Sequence, residues 1–257
     1  MAGPGTSSSE RDVLFWQIAV GVIIIAGWEF AGRYSDSSWI SRPSLIFATL
    51  WAWTQDDLLF HLITTLIEVT TGLFLGIVFG VVAGLVLGRS RVLAMVFRPI
   101  IIALYSVPIV ALAPLIIMFL GIDMLPKIVL VTSVVFFLVF FNTFAGVERI
   151  DPDLVDALTI MGSNKHEEFR KVVFPGSLIW IFGGIKVALP YALIAATTGE
   201  MLVSRAGIGH LLSQSADRFD MTGLYAALLI LMVLGMIISA LSQRIERNAL
   251  KWRLNEQ

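Results

Sequence analysis

The chain has 257 residues, of which 57% are hydrophobic and only 14% charged, a composition outside the range of soluble globular proteins. The formal net charge of −1 gives no basis for a nucleic-acid partner, and the lack of cysteine excludes disulfide bonds and thiolate chemistry. Three scattered histidines, His61, His166 and His210, lack the spacing of metal ligands, so no metal site is predicted. The composition therefore predicts an integral membrane protein.

The N-terminal segment 1–12 is small, polar and rich in Ser and Gly, and we expect a disordered cytoplasmic tail. The apolar run that follows is long enough to span a bilayer. A cleaved signal peptide is the alternative, but the flanking charges and the end of the run do not fit one. We interpret residues 13–257 as a single transmembrane domain. Its predicted spans are 13–31, 61–87, 99–120, 128–147, 172–198 and 223–241.

The second span carries glycine at every fourth position: Gly72, Gly76, Gly80, Gly84 and Gly88. Glycines at this spacing form a smooth stripe that lets another helix approach closely. We therefore predict close helix packing along this span. Glu68 lies just before the stripe and could face a pathway, but we place it at the membrane interface.

The third span contains Pro108 and Pro114. Interior prolines remove backbone hydrogen bonds and kink a helix. Broken helices are tolerated at membrane depth where they are buried or line a cavity, so both prolines are candidates for a substrate pathway. A kink that only serves packing is the alternative. Asn142 in the fourth span could bind substrate or, as we favour, a neighbouring helix.

Two charged residues complete the candidates for the substrate pathway. Lys186 lies inside the fifth span, and Glu200 lies near the outer end of that span. A lysine within the membrane is a candidate functional residue, because it could attract an anionic solute. Alternatively, Lys186 pairs with a carboxylate such as Glu200 or Glu68, or extends to the interface.

The most polar stretch is the loop 151–175, with the sequence DPDLVDALTIMGSNKHEEFRKVVFP. Asp151 predicts an N-cap, Pro152 the first helical position, and Gly162 a left-handed residue at the end of a short helix. Asn164 followed by Glu167 predicts a capping box that starts a second helix. The loop therefore reads as a short isolated helix followed by a helix that returns to the membrane.

The short helix has an apolar face, formed by Leu154, Leu158 and Met161 at positions i, i+4 and i+7. This helix is too short to cross a bilayer. The face is expected to be buried either against the protein's own bundle and the lipid surface or in another protein. The local pattern leaves both possibilities open.

The segments Asp156-Ala157-Leu158, Gly162, Val172 and Phe174-Pro175 resemble the EAA loop of ABC importer permeases. That loop has the pattern E-A-A, three residues, G, nine residues, I, any residue, L-P, and the spacing matches throughout. Further motifs between Pro43 and Arg253, including Gly199-Glu200-Met201 and Gly207-Ile208-Gly209, are similar to one permease subfamily. That subfamily handles nitrate, sulfonates, taurine and thiamine-precursor pyrimidines.

The resemblance implies an all-α integral membrane protein with the type I ABC importer (MetI-like) permease fold and a cytoplasmic coupling helix. Two permease copies, expected to be identical, would form the pathway for a small anionic solute such as a sulfonate, taurine or nitrate. An extracytoplasmic binding protein would deliver the solute. Two ATP-binding cassette subunits would bind ATP and Mg²⁺, and this chain would hold no cofactor. The implied coupling residues are Leu154, Asp156, Ala157, Leu158, Met161 and Gly162.

The distribution of Lys and Arg predicts the orientation of the spans. With the N-terminus inside, 12 of the 18 Lys and Arg residues fall in inner segments and 5, including Lys127, in outer ones. Lys186 is the remaining cation and lies within the membrane. This excess favours a multi-pass protein of the bacterial inner membrane with both termini and the loop 151–175 in the cytoplasm.

No segment of the sequence resembles a catalytic site, and the phosphate-loop pattern of ATPases is missing. A secondary transporter driven by an ion gradient is one alternative, although the sequence has few intramembrane carboxylates and no internal repeat. An integral membrane enzyme using Asp151, Asp153 and Asp156 is a second alternative. We favour it less, because the positions of these residues at a helix start explain them.

Overall fold

The computed structural model describes residues 6–35 and 39–249, and all the regular elements in these ranges are helices. The helices are α1 (Thr6–Tyr34), α2 (Pro43–Gln55), α3 (Leu58–Arg89), α4 (Arg91–Tyr105), α5 (Ala113–Leu120), α6 (Met124–Glu148), α7 (Pro152–Ile160), α8 (Lys165–Glu168), α9 (Phe174–Val203), α10 (Ile208–Asp217) and α11 (Met221–Ala249). A 3₁₀ turn, Ile109–Leu112, precedes α5, and a π-helical turn, Phe169–Val173, joins α8 to α9. Among the described residues, five helices are long and apolar enough to cross a membrane, or six if α4 and α5 count as one broken span.

Two predicted boundaries at the N-terminal side of helices are wrong. Residues 6–12 belong to α1, so this part of the predicted disordered tail is helical, while residues 1–5 lie outside the described residues. Extending an existing helix by a turn is easier than starting one, which allows polar residues to continue it. Likewise, α4 begins at Arg91 rather than at residue 99. The hydroxyl of Ser90 caps it by accepting a hydrogen bond from the Leu93 N–H.

The described residues divide into two packing units, and the first comprises residues 6–35, 39–58 and 212–229. In this unit the indole N–H of Trp28 donates to the Ser41 carbonyl at 2.8 Å. The carboxylate of Glu29 accepts from the backbone N–H of Ser44, at the start of α2, at 3.0 Å and from its hydroxyl at 2.9 Å. These hydrogen bonds join α1 to α2.

The second unit comprises residues 59–211 and 230–249 and has α3, α6 and α9 at its core. The glycine stripe of α3 faces α6. A Cβ added at Gly72 or Gly76 would lie 2.5 or 2.6 Å from the Cβ of Val131 or Val135, closer than real Cβ atoms come. The buried apolar residues beside the stripe are Val69, Leu73, Val131, Val135, Val139, Ala188, Leu189, Ala192, Ala195 and Ala196. The small residues of α3 and α9 thus let both helices pack closely on α6.

This packing predicts that Gly80→Ala destabilises the protein. The added Cβ would lie 2.9 Å from the backbone carbonyl oxygen of Phe136 and 3.0 Å from the Cβ of Val139, so α6 would have to move. We expect a loss of about 1–3 kcal/mol, seen as an apparent melting temperature several degrees lower in detergent. Gly183→Ala is the matched control, because no atom lies within 4 Å of its added Cβ. Equal melting temperatures for the two variants would contradict the close packing of α3 on α6.

Candidate functional sites

The loop 151–175 has the predicted caps at both of its helices. Asp151 accepts a hydrogen bond from the Asp153 N–H at 3.0 Å, and Pro152 is the first residue of α7. Gly162 has a φ of +86° and ends the turn that follows α7. The predicted capping box is also present, because Asn164 accepts from the Glu167 N–H at 3.0 Å and Glu167 accepts from the Asn164 N–H at 3.2 Å. Short-range sequence signals therefore determine the local shape of this loop.

The end of α7 presents apolar side chains to solvent. Ile160 is 87% exposed, Met161 81% and Leu154 56%. Asp156, Ala157 and Gly162 are exposed as well. Of the predicted apolar face, Leu154 and Met161 are therefore exposed, whereas Leu158 is half-buried, like Val155 one turn before it. Ile160, which the i, i+4, i+7 pattern missed, extends the exposed face. We call Leu154, Ala157, Ile160 and Met161 the α7 tip.

Arg89 links the loop to the end of α3. Arg89, the last residue of α3, donates a hydrogen bond to the Lys165 carbonyl at the start of α8. Its guanidinium also lies over the ring of Phe169, 5.5 Å from the ring centroid. On the other side, the Thr159 hydroxyl of α7 donates to the Glu168 carboxylate at 3.1 Å. A force on α7 would therefore reach both α3 and the helix that continues into α9.

Of the two candidate prolines, Pro108 lies in a break in the helical chain and Pro114 lies shortly after it. The axes of α4 and of the helical segment Ile109–Leu120 differ by 72°. Pro108 precedes the 3₁₀ turn, and Pro114 lies in the first turn of α5. A groove of about 400 Å³ opens at the break and is lined by Tyr105, Val107, Pro108, Ile109, Val110, Val134, Leu138, Val187 and Tyr191. Tyr105 and Tyr191 are lining residues that the sequence analysis did not single out. The break thus provides a mostly apolar groove.

The other pathway candidates do not line this groove. Asn142 donates from its side-chain amide to the Leu138 carbonyl of its own helix at 2.8 Å, not to a neighbouring helix. Lys186 forms an ion pair with Glu246 of α11, with 2.7 Å between Nζ and Oε2, and both side chains are partly exposed. The alternative that Lys186 pairs with a carboxylate is therefore confirmed, but the partner is Glu246 rather than Glu200 or Glu68, because Lys186 lies on the side of α9 that faces α11.

A buried cluster of charged groups lies between α3, α6 and α9. Glu68 and Glu200 are both fully buried, and Lys127 is 4% exposed. The ammonium of Lys127 lies 2.6 Å from Oε1 of Glu68 and donates to the Ser204 hydroxyl at 2.9 Å. Glu68 therefore faces the protein interior, and Lys127 lies near the start of α6 rather than in the turn before it. The attraction between the two charges offsets part of the free energy that burying each of them costs.

Glu200 holds the segment between α9 and α10. Its Oε1 accepts from the Thr65 hydroxyl at 2.6 Å, and its Oε2 accepts from the Gly209 N–H at 2.6 Å. The Thr65 hydroxyl also accepts from the Ile208 N–H at 2.9 Å, and the Gly207 N–H donates to Nδ1 of His61 at 3.0 Å. Three consecutive backbone N–H groups are thus bound by side chains of α3 and α9. This arrangement gives Glu200 a structural role in holding that segment.

Gly207 allows this arrangement, which leads to a second prediction. Gly207 has a φ of +109°, and an added Cβ would lie 2.2 Å from the Glu200 carboxyl carbon. Gly207→Ala should therefore cost the strain of a left-handed alanine, about 1–2 kcal/mol, and the hydrogen bonds of Glu200 as well. Gly162 has a φ of +86°, but no atom lies within 4 Å of a Cβ added there. Gly162→Ala should therefore show the backbone strain alone. In thermal unfolding in detergent, Gly207→Ala should lower the melting temperature at least twice as much as Gly162→Ala does. Equal decreases for the two variants would contradict the packing of Glu200 on Gly207.

The chain is similar to known proteins both in sequence and in structure. Residues 76–251 match the family described as binding-protein-dependent transport system inner membrane component. The chain is 27% identical to the formylaminopyrimidine transport permease protein ThiX of Halalkalibacterium halodurans, over 90% of this chain and 93% of that protein. It is 30% identical to the SsuC permease protein of Escherichia coli, named for aliphatic sulfonates, over 92% of this chain and 90% of that protein. A chain of the inward-facing MetNI methionine ABC transporter matches with a TM-score of 0.65 and 20% identity, over 78% of this chain and 97% of that chain. This structural match confirms the predicted all-α, MetI-like fold.

Proposed function

Since the chain belongs to the family of binding-protein-dependent transport system inner membrane components, we propose that it forms the translocation pathway for a small anionic solute in an ABC importer. The chain is a transport subunit of the inner membrane rather than an enzyme, and ATP hydrolysis takes place in separate ATPase subunits. The alternative of an ion-gradient-driven transporter predicts solute uptake without any ATPase.

The coupling proposal rests on one observation: the α7 tip is exposed, and it belongs to a loop that Arg89 holds at the end of α3. Ile160 and Met161 are more than 80% exposed, although burial of such side chains is favourable. The two capped helices and the Arg89 contacts hold this tip in one orientation relative to α3. We infer that the tip inserts into a groove of an ATPase subunit, with Leu154, Asp156, Ala157, Leu158, Met161 and Gly162 at or beside the contact. ATP and Mg²⁺ would be bound by that ATPase, which would move α7 and thereby α3 and α9.

The proposed orientation rests on the excess of Lys and Arg in alternate segments. It places both termini and α7 in the cytoplasm, where an ATPase could reach the α7 tip. The pathway would form between this chain and a second, identical copy, with an extracytoplasmic binding protein on the opposite side. In this arrangement the groove at Pro108 between α4 and α5 is the favoured pathway surface. Pro114, which does not line that groove, would act by starting α5.

The anionic character of the solute is supported by the likeness to the sulfonate permease protein. Lys186 does not support it, because Glu246 neutralises that lysine. The likeness to ThiX points to a pyrimidine instead, so uptake must discriminate between the two. Cells expressing the whole transport system should take up labelled taurine or methanesulfonate, and excess unlabelled formylaminopyrimidine should not compete. Uptake of labelled formylaminopyrimidine, with no uptake of the labelled sulfonates, would reverse the assignment of the solute.

The transporter class is tested by affinity purification of the tagged chain from mild detergent, followed by mass spectrometry of the proteins that come with it. We expect an ATPase subunit that carries a phosphate-loop lysine. Uptake of solute should also continue when an uncoupler collapses the ion gradient while ATP is maintained. Purification without an ATPase, together with uptake that stops on addition of the uncoupler, would favour the gradient-driven alternative.

A further inference from the structure

A cationic cleft lies where α3 ends and α4 begins. Its volume is about 450 Å³, and its lining includes Arg89, Arg91, Ala94, Met95, Arg98 and Glu148. This volume is within the range of small-molecule sites, about 300–1,000 Å³. The lining carries three guanidinium groups and one carboxylate, which leaves a formal excess of positive charge. The cleft is therefore suited to an anion.

Two of the three arginines have hydrogen-bond donors free to bind an anion. Arg89 is held by the Lys165 carbonyl and the Phe169 ring. Arg98 lies over the ring of Phe144, 5.4 Å from its centroid, and forms a long contact with Glu148, 3.4 Å between Nη1 and Oε1. Both side chains of this ion pair are about half exposed, so the Arg98 N–H groups are accessible. Such exposed pairs contribute little to stability. Arg91 forms no ion pair or side-chain hydrogen bond with any residue in the ranges 6–35 and 39–249.

The cleft borders an exposed apolar surface that starts one residue after Arg91. Val92, Met95 and Val96 of α4 occupy positions i, i+3 and i+4, and each is more than half exposed. The same end of the cleft lies at the terminus of α3, a 32-residue apolar helix long enough to span a bilayer. The N-terminal amides of α4 add positive potential next to Arg91. Positive charge therefore lies next to apolar surface at one end of a helix that is long enough to span a membrane.

We propose that this cleft binds the anionic headgroup of a membrane phospholipid. Arg91 and Arg98 would contact the phosphate through their guanidinium donors, and an acyl chain would lie along Val92, Met95 and Val96. A soluble phosphate would leave the apolar surface uncovered, whereas the acyl chain of a phospholipid would cover it. We therefore assign the site to a lipid. Basic pockets between transmembrane helices are known to take acidic headgroups. Because Arg89 belongs to the same cleft, a bound lipid would lie beside the residue that holds the loop 151–175.

The site is tested by native mass spectrometry of the full-length chain, purified together with any proteins that accompany it. Phosphatidylglycerol and phosphatidylcholine with identical acyl chains are added separately, so that the two differ only in the headgroup. We expect phosphatidylglycerol to bind more tightly than phosphatidylcholine. Arg91→Gln and Arg98→Gln should each weaken the binding of phosphatidylglycerol by about fivefold. Arg91→Lys, which keeps the positive charge, should retain most of the affinity.

Arg218→Gln is the matched control. Arg218 is an exposed arginine that directly follows α10, and it does not line the cleft. It should bind phosphatidylglycerol as the unmodified chain does. Equal phosphatidylglycerol binding by all the variants, or equal binding of the two lipids, would overturn the proposal. Displacement of phosphatidylglycerol by inorganic phosphate at constant ionic strength would likewise overturn the assignment to a lipid, in favour of a soluble phosphate. Unchanged melting temperatures of the variants would show that the loss of binding is not a loss of fold.

Discussion

Replacing Lys127 by methionine should destabilise the protein more than Gly80→Ala or Gly207→Ala does. The substitution leaves the fully buried carboxylate of Glu68 without the ammonium that lies 2.6 Å from it. Breaking a buried ion pair by removing one partner costs about 3–5 kcal/mol. For a chain of this size, such a loss should lower the apparent melting temperature by at least about 6 °C. Thermal unfolding in detergent, followed by intrinsic fluorescence, measures the shift.

The double variant Glu68→Leu/Lys127→Met is the matched control for this prediction. It removes both charges, so that no unpaired charge from this ion pair remains in the core between α3 and α6. Replacing a buried ion pair by apolar residues of similar volume is often neutral. The Ser204 hydroxyl, which loses Lys127 as a donor, still donates to the Ala206 carbonyl. The double variant should therefore recover most of the lost stability, and a double variant as unstable as Lys127→Met would show that the pair is not the source of the effect.

Ala157→Arg should abolish ATP-dependent solute uptake while leaving the membrane part folded. Ala157 is exposed on α7, beside Leu154 and Met161, so an arginine fits there in the isolated chain. In the proposed groove of an ATPase, the guanidinium would be buried without a partner and would cost about 2 kcal/mol or more. This penalty corresponds to docking weakened more than tenfold. Uptake is measured in vesicles supplied with ATP, together with the amount of ATPase that co-purifies.

Ala216→Arg provides the comparison for the uptake experiment. Ala216 is an exposed alanine on α10, which the proposed orientation places on the opposite side of the membrane from α7. This variant should keep both uptake and the co-purifying ATPase. Both variants should show the melting temperature of the unmodified chain. Full uptake by Ala157→Arg would refute the assignment of α7 as the coupling helix.

The sequence predicted the features that depend on residues close together in the chain. Asp151, Gly162 and the pair Asn164 and Glu167 determine the helix ends of the loop 151–175, because a cap involves residues two or three positions apart. The spacing of the glycines defines one face of α3. It does not say which helix lies on that face, and the contact with α6 follows only from the tertiary structure.

The sequence did not predict the contacts between charged residues far apart in the chain. Glu68 and Lys127 each stand near the end of an apolar run, where a single charge is compatible with the membrane interface. Their pairing depends on how α3 and α6 are aligned, which no local pattern determines. The same holds for Lys186, a pathway candidate by its position in the sequence, which pairs with Glu246 of α11. Opposite charges at the ends of successive apolar runs are the signal that could have suggested the buried pair.

The most direct test of the coupling role of α7 is site-specific cross-linking at its tip. The chain has no cysteine, so Met161→Cys introduces a unique thiol at a position that is 81% exposed. This thiol is labelled with a photoreactive maleimide in native membranes, and the cross-linked partner is identified by mass spectrometry. We predict an adduct with an ATP-binding cassette ATPase for Met161→Cys and none for Arg218→Cys. Capture of the ATPase by Arg218→Cys, or adducts of Met161→Cys with lipid or with other copies of the chain alone, would contradict a coupling role for α7.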